Sequence, residues 1–364
     1  MAKFLLSLIP LLAAGLACEA QAPSLPAPAK EDASSPPPGA VYEGEAFTFH
    51  QIQPDIYHAV GTGNLAVGCN GSIVVNEEDV LVVDSHITPA AAWALTKELK
   101  NVTDKPIRYV VNTHFHFDHA HGNQVFPAGV EIIGHEFTRE KLVSGASMNG
   151  RSWKLFVEGL PGRIAEMEAE LEKARDSGDE AKTKELQKNL EVQRRYQEAT
   201  GAIVATPPTT TLSQRMTLFR GGREIRLLFF GRGHTGGDVV VYLPREKVLA
   251  TGDLLTAGLS YMGDGYLPEW ADTLEELKTL DFDVVLPGHG EAFRDRERID
   301  HFQAYLRDLW QKIIKLHADG VSAADAALKI DMTNHAEHYS TITGPGVHPH
   351  AVERAYALLG GIEN

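Results

Sequence analysis

The stretch Asn112 to Asn123, reading NTHFHFDHAHGN, places four histidines and an aspartate within twelve residues, directly after the apolar run IRYVV. In an extended chain successive side chains alternate sides, so His114 and His116 point the same way. For Asp118 and the adjacent His119 both to be useful, the chain must turn after His116 and aim the pair at a second point close by. Two metal positions is the natural reading. Neutral imidazoles with a carboxylate suit borderline divalent ions, chiefly zinc, better than calcium or magnesium, which take oxygen shells. Four ligands are too few for two ions, and three later strand ends each offer one more: His234 in GRGHTGGD, Asp253 in LATGDLL and His289 in VVLPGHGE. Each follows an apolar run and is flanked by glycine, as expected where backbone turns sharply against a site.

The elements that must position these residues can be read from periodicity. From about Glu45 the runs AFTFHQI, IYHAV, SIVV and VLVVD read as a meander of strands. A helix is expected from Thr88 to Asn101, with Pro89 in its first turn, then the strand IRYVVN, the histidine turn, the strand VEIIG and a further helical segment. The order then repeats: MTLFR, EIRLLFFG, DVVVYL and KVLATGD as strands, a helix near Thr273 to Leu280, the strand DVVLPG, and helices to the end. Two strand-rich halves, each closed by helices, predict two packed sheets covered outside by helices. Between the halves, residues from about 161 to 200 are almost all Glu, Lys, Ala, Arg, Gln and Leu, broken at Asp176–Asp179. This is an inserted helical hairpin. Ile164, Met167 and Leu171 on one arm, with Leu186 and Leu190 on the other, give a narrow apolar seam. The seam fits two helices packed on each other; a lid or dimer arm beside the site is the other reading.

The motif HFHFDH, with His234, Asp253 and His289 at these spacings, resembles the metallo-β-lactamase superfamily, from about Glu45 to Arg294. The resemblance implies an α+β fold, an αββα sandwich with a binuclear metal site along one edge. It implies His114, His116 and His234 on one ion, Asp118, His119 and His289 on the other, and Asp253 between them. The ions would be two Zn2+, with iron or manganese as alternatives. Asp84, ending VLVVD, matches the family's early aspartate that orients a ligand histidine. In the implied chemistry a bridging hydroxide attacks, and Asp118 is the catalytic residue that orients it and passes its proton to the leaving group. An aspartate at position 253, where the zinc β-lactamases usually carry cysteine or serine, resembles glyoxalase II, the lactonases and general hydrolases. The expectation is hydrolysis of a lactone, lactam or related ester bond in a small-molecule substrate. The alternatives are a thioester hydrolase of the glyoxalase II kind and a mononuclear-iron oxidoreductase of the persulfide dioxygenase kind.

The remaining residues bound the reading. The formal charge of −15 and pI near 5.5 argue against nucleic acid as a partner. Lys3 and the apolar run from Phe4 to Ala17 form an export signal over residues 1–20, followed by a Pro/Ala-rich linker at 21–44 and the hydrolase domain at 45–364. GLAC resembles a lipobox, with Cys18 lipidated and the membrane as tether; small residues at Cys18–Ala20 fit soluble secretion instead. Either route leads to the periplasm or outer surface. Cys69 is then without a disulfide partner and is expected to be buried and inert. His86, His121 and His135 are expected as surface or supporting residues, and His335, His338, His348 and His350 as part of a solvated loop. Tyr261, Met262, Tyr266, Trp270, Phe115 and Phe117 are candidates to wall a substrate pocket.

Overall fold

Runs of β-branched residues buried on both faces form the centre of the structure, a computed structural model that describes residues 35–362. The export segment and the linker up to residue 34 lie outside the described residues. Strands β1 (Phe47–Gln53), β2 (Ile56–Gly61), β3 (Gly71–Val75), β4 (Val80–Val83), β5 (Ile107–Val111), β6 (Glu131–His135) and β7 (Thr210–Leu212) make one sheet in that order. The second sheet runs β12 (Val284–Pro287), β11 (Val248–Gly252), β10 (Val240–Leu243), β9 (Arg223–Leu228) and β8 (Arg215–Arg220). Strands β4 to β7 are parallel to one another, as are β11 and β12.

Strand alternation sorts these residues into layers. In β4, Leu81 and Val83 face the opposite sheet, while Val80 and Val82 face helices. In β10, Val241 and Leu243 meet them between the sheets, while Val240 and Tyr242 turn to the other helical layer. Each sheet is therefore covered on both faces, which is why its central strands read as unbroken apolar runs. Each leucine or isoleucine buried there contributes about 1.5–3 kcal/mol. The architecture is the expected αββα sandwich.

On the first sheet lies α1 (Pro89–Glu98), capped by Thr88, whose side chain accepts from Ala91 N at 3.1 Å. Its alanines 90, 91, 92 and 94 are fully buried, so the helix sits flush on the strands. The short helix α2 (Phe117–Ala120) follows the histidine turn, and α3 (Glu136–Val143), α4 (Ala146–Asn149) and α5 (Arg151–Trp153) lead through a π-turn at Lys154–Glu158 into the insertion. That insertion is an antiparallel pair, α6 (Leu160–Asp176) and α7 (Glu180–Thr200), joined at Gly178, with Asp179 accepting from Lys182 N at 2.9 Å. Ile164, Leu171, Leu186, Leu190 and Tyr196 join one apolar cluster with Trp153, Phe117 and Ile87, so the seam continues into the layer beneath the histidine turn. The second sheet carries α8 (Leu267–Leu277), α9 (Glu297–Ala318), α10 (Ala323–Lys329) and α11 (Pro349–Leu359).

Several expectations need correction. Helix α8 starts at Leu267, six residues before the expected Thr273, because Pro268 supplies a favourable first turn. Strand β7 carries no sequence signal beyond three residues, and pairing with β6 makes it a strand. The linker is not free to its end: Ala40 packs with Ala90 and Ala199, and the Tyr42 hydroxyl donates to Glu98 at 2.7 Å. Small side chains let this segment lie close on α1 and α7. The late histidine run is not a solvated loop either. His335 is buried and bonded to Asp308 at 3.0 Å, His338 stacks on His301 at 3.5 Å, and His348 caps α11.

Candidate metal centre

Both sheets end at the same edge, and there the seven residues meet. Val111 ends β5; Asn112 and Asn123, which bracket the motif, then pair amide to amide at 3.0 and 2.8 Å and pin its two ends together. His114 and His116 lie in the turn, and Asp118 and His119 sit on α2. His234 lies between β9 and β10, Asp253 directly follows β11, and His289 follows β12. Two glycines allow the close approach. A Cβ on Gly252, whose φ is +52°, would lie 2.4 Å from Thr113 Oγ1, and one on Gly288 would lie 2.3 Å from Asp253 Oδ1.

The donors form two groups. The rings of His114, His116 and His234 stand mutually edge-on, each pair with centroids 4.7 Å apart and interplanar angles of 80–90°. His234 Nε2 lies 2.9 Å from His116 Nδ1. In the second group, His289 Nε2 is 3.1 Å from Asp118 Oδ2, and His119 Nε2 is 3.5 Å from Asp118 Oδ2 and 3.4 Å from His289 Nε2. Asp253 stands between the groups, 3.4 Å from His119, 3.3 Å from His289 and 3.7 Å from His234. Donors about 2.0–2.1 Å from a tetrahedral zinc ion lie about 3.3 Å apart, so these spacings suit such an ion.

Unmet hydrogen-bonding capacity gives a second test of fit. His114 Nε2 and Asp253 Oδ1 are buried without a partner, although buried polar atoms are nearly always bonded. Burial pushes His234 down to about 3, which leaves its ring neutral and able to ligate. The second group is electrostatically different. Burial disfavours charge on His289, yet the carboxylates of Asp253 and Asp118 outweigh it and lift the ring to about 10. A pocket that holds a proton so tightly is one that attracts cations. Both groups can therefore hold divalent metal.

Supporting contacts fix the rings. Asp84, with φ of +64° at the end of β4, accepts from Thr113 N at 2.7 Å and faces His119 Nδ1 at 2.8 Å. His119 Nε2 is thereby left to face the centre. Asp264, which sequence reasoning missed, takes the same part for His116: its Oδ2 is 3.1 Å from Nε2. The turn signal MGDG was visible, but not where it would fold. Cys69 is buried, and burial pushes its thiol up to about 12. His86 and His121 are fully buried, not on the surface; His86 Nδ1 bonds Cys69 O at 3.0 Å and His121 Nε2 bonds Ser147 Oγ at 3.1 Å. His135 caps α3.

Beside the centre opens a cavity of about 360 Å³, walled in part by Phe117, Tyr261, Leu259 and Phe156. Tyr261 is also bonded to His350 Nδ1 at 2.9 Å, tying this wall to α11. Trp270 is not in the wall. It is fully buried behind His234, with ring centroids 5.6 Å apart, and donates to Leu254 O at 3.0 Å. Phe115 packs on Phe137, and Tyr266 is buried in the core.

The model of the metallo-beta-lactamase superfamily matches residues 65–289, and the chain belongs to that superfamily. It is 22% identical over 295 residues to a linear primary-alkylsulfatase from a Pseudomonas species, covering 77% of this chain and 53% of the relative. It is 23% identical over 268 residues to the 2,4-dinitroanisole O-demethylase subunit alpha from a Nocardioides species, covering 72% of this chain and 62% of the relative. A metallo-beta-lactamase type 2 from Bacillus cereus is 31% identical over 91 residues, 23% of this chain and 36% of that one. The chain thus spans little more than half the length of the first two. The solved metallo-beta-lactamase from Pontibacter korlensis superposes with a TM-score of 0.51 at 20% identity, covering 72% of this chain and 99% of that one, and so shares the fold.

Proposed function

We propose that the protein is an exported, binuclear zinc hydrolase that opens or cleaves a lactone, lactam or related ester-type bond. The observation that carries this is the convergence of two donor groups on either side of Asp253. Zinc bound there would supply Lewis acidity toward the substrate oxygen and make water a better nucleophile near neutral pH. The chain's own residues do the rest. Burial alone would raise the Asp118 carboxyl, but the charge of His119 and the bond to His289 hold it well below the usual carboxylate range. Asp118 is thus ionised at the cavity wall, where it can orient the attacking water and return the proton to the leaving atom. Phe117, Phe156 and Leu259 give that wall an apolar stretch, which favours substrates with apolar parts.

The two donor groups favour two ions over the single iron of the oxidoreductase reading. Metal analysis separates them: two zinc per chain against one iron with oxygen uptake. Zinc-loaded protein tested on lactones, lactams, thioesters, carboxylic and sulfate esters and phosphodiesters should turn over members of the first groups; a blank panel refutes the hydrolase. Sulfate esters belong in the panel because one relative is an alkylsulfatase. Export rests on residues 1–20, and Cys18 decides between lipid anchor and free secretion; labelled palmitate carried by the wild type and absent from Cys18→Ser would identify the anchor.

A further inference from the structure

The inserted hairpin has no part in the metal centre, yet two of its side chains reach the same cavity. Arg163 comes from α6 and Tyr196 from α7, and both line the wall together with Asp118 and His289. Arg163 is the one lysine or arginine among the residues lining that cavity. Its Nη1 donates to Leu155 O at 3.0 Å and its Nη2 to Phe156 O, both carbonyls of the π-turn that leads into α6. Among the described residues no carboxylate lies within ion-pair distance of it. These bonds hold the fork in one orientation and leave further N–H groups without a protein acceptor.

A guanidinium on a largely apolar wall is costly to desolvate unless an anion meets it. Its planar fork matches an oxyanion better than a point charge would. The Tyr196 phenol lies close enough to feel two charges: burial and Asp118 push it up, and Arg163 pulls it down. It remains a protonated O–H donor at neutral pH. We infer that the hairpin is a substrate-reading wall, in which Arg163, helped by Tyr196, selects molecules carrying an oxyanion beside the bond to be cleaved. This rests on the hydrolase reading for its purpose, though not for its test. The oxyanion is a carboxylate or a sulfur oxyanion, and the apolar walls formed by Phe117 and Phe156 would take the adjoining hydrocarbon.

Calorimetric titration of zinc-loaded protein with three ligands that are not turned over tests this: 4-phenylbutanoate, 4-phenylbutane-1-sulfonate and the neutral 4-phenylbutanamide. Wild type should prefer at least one anion over the amide by about tenfold or more, the size of a charge-assisted bond. Which anion wins identifies the oxyanion. Anions also bind zinc directly, so the decisive comparison is Arg163→Met, in which the preference should fall about tenfold while amide binding persists. Arg163→Lys should restore part of it, and Tyr196→Phe should reduce it less. A merely structural role for Arg163 would weaken acid and amide alike. An unchanged preference in Arg163→Met, or none in wild type, overturns the inference. A retained preference in a protein that hydrolyses nothing would sink the hydrolase reading and leave this one standing.

Discussion

Replacing Asp84 by asparagine sets one hydrogen against another in a place where nothing can move aside. The carboxylate is 1% exposed and accepts from Thr113 N at 2.7 Å and Thr113 Oγ1 at 2.8 Å, with His119 Nδ1 at 2.8 Å. Asparagine keeps one acceptor and turns the other into a donor. If its oxygen stays with Thr113, its NH2 meets His119 Nδ1, and the ring must carry its proton on Nε2 instead. Nε2 is the atom 3.4 Å from both Asp253 and His289, so its lone pair would no longer be available to metal. If the amide is turned round, its NH2 faces Thr113 N–H and the fold loses about 1–3 kcal/mol. The first arrangement should prevail. Zinc affinity at the Asp118, His119 and His289 group should fall by about 10–100-fold, which is about 1.4–2.8 kcal/mol. Competition against a chromophoric chelator measures the affinity, and denaturant unfolding of chelated protein measures the fold. Two zinc ions bound with wild-type affinity by a variant of unchanged stability would refute the argument.

Asp264→Ala should instead weaken the three-histidine group, by about tenfold, and spare the other; equal loss at both ions would contradict the pairing of Asp264 with His116. Gly288→Ala drives a Cβ to within 2.3 Å of Asp253 Oδ1 and 2.7 Å of His119 Cε1, so zinc stoichiometry by elemental analysis should drop below two. Burial of His58, with neither ring nitrogen bonded, pushes it down to about 4. Because the unfolded chain takes up this proton near pH 6.5, the stability His58 contributes is present above 6.5 and is lost as pH falls toward 4, about 3 kcal/mol in all. Chelated His58→Phe should unfold with a flatter pH dependence over that window, and an unchanged slope would exclude His58 as the cause.

The three donors outside the histidine turn were legible because each announces itself twice, by residue type and by following an apolar strand with glycine beside it. His234, Asp253 and His289 needed no knowledge of sheet order. Asp84 was readable for the same reason, as the polar end of VLVVD. Asp264, Arg163 and Tyr196 were not, since each reaches the site from a loop or helix whose approach is set by long-range packing. Trp270 was misplaced because an aromatic beside a motif says nothing about which face of α8 it will occupy; the buried face won. The late histidines were misread because Gly, Pro and Ser around them signal loop, whereas contacts with Asp308, His301 and Tyr261 bury or pin much of the run.

The first sheet brings His114, His116, Asp118 and His119, and the second brings His234, Asp253 and His289. Neither half of the chain owns a complete coordination sphere. A pair of ions would therefore act as rivets through the seam of the sandwich, and stripping them with a chelator would loosen the joint between the two halves as well as silence the chemistry, with ion concentration setting how firmly the halves are clamped.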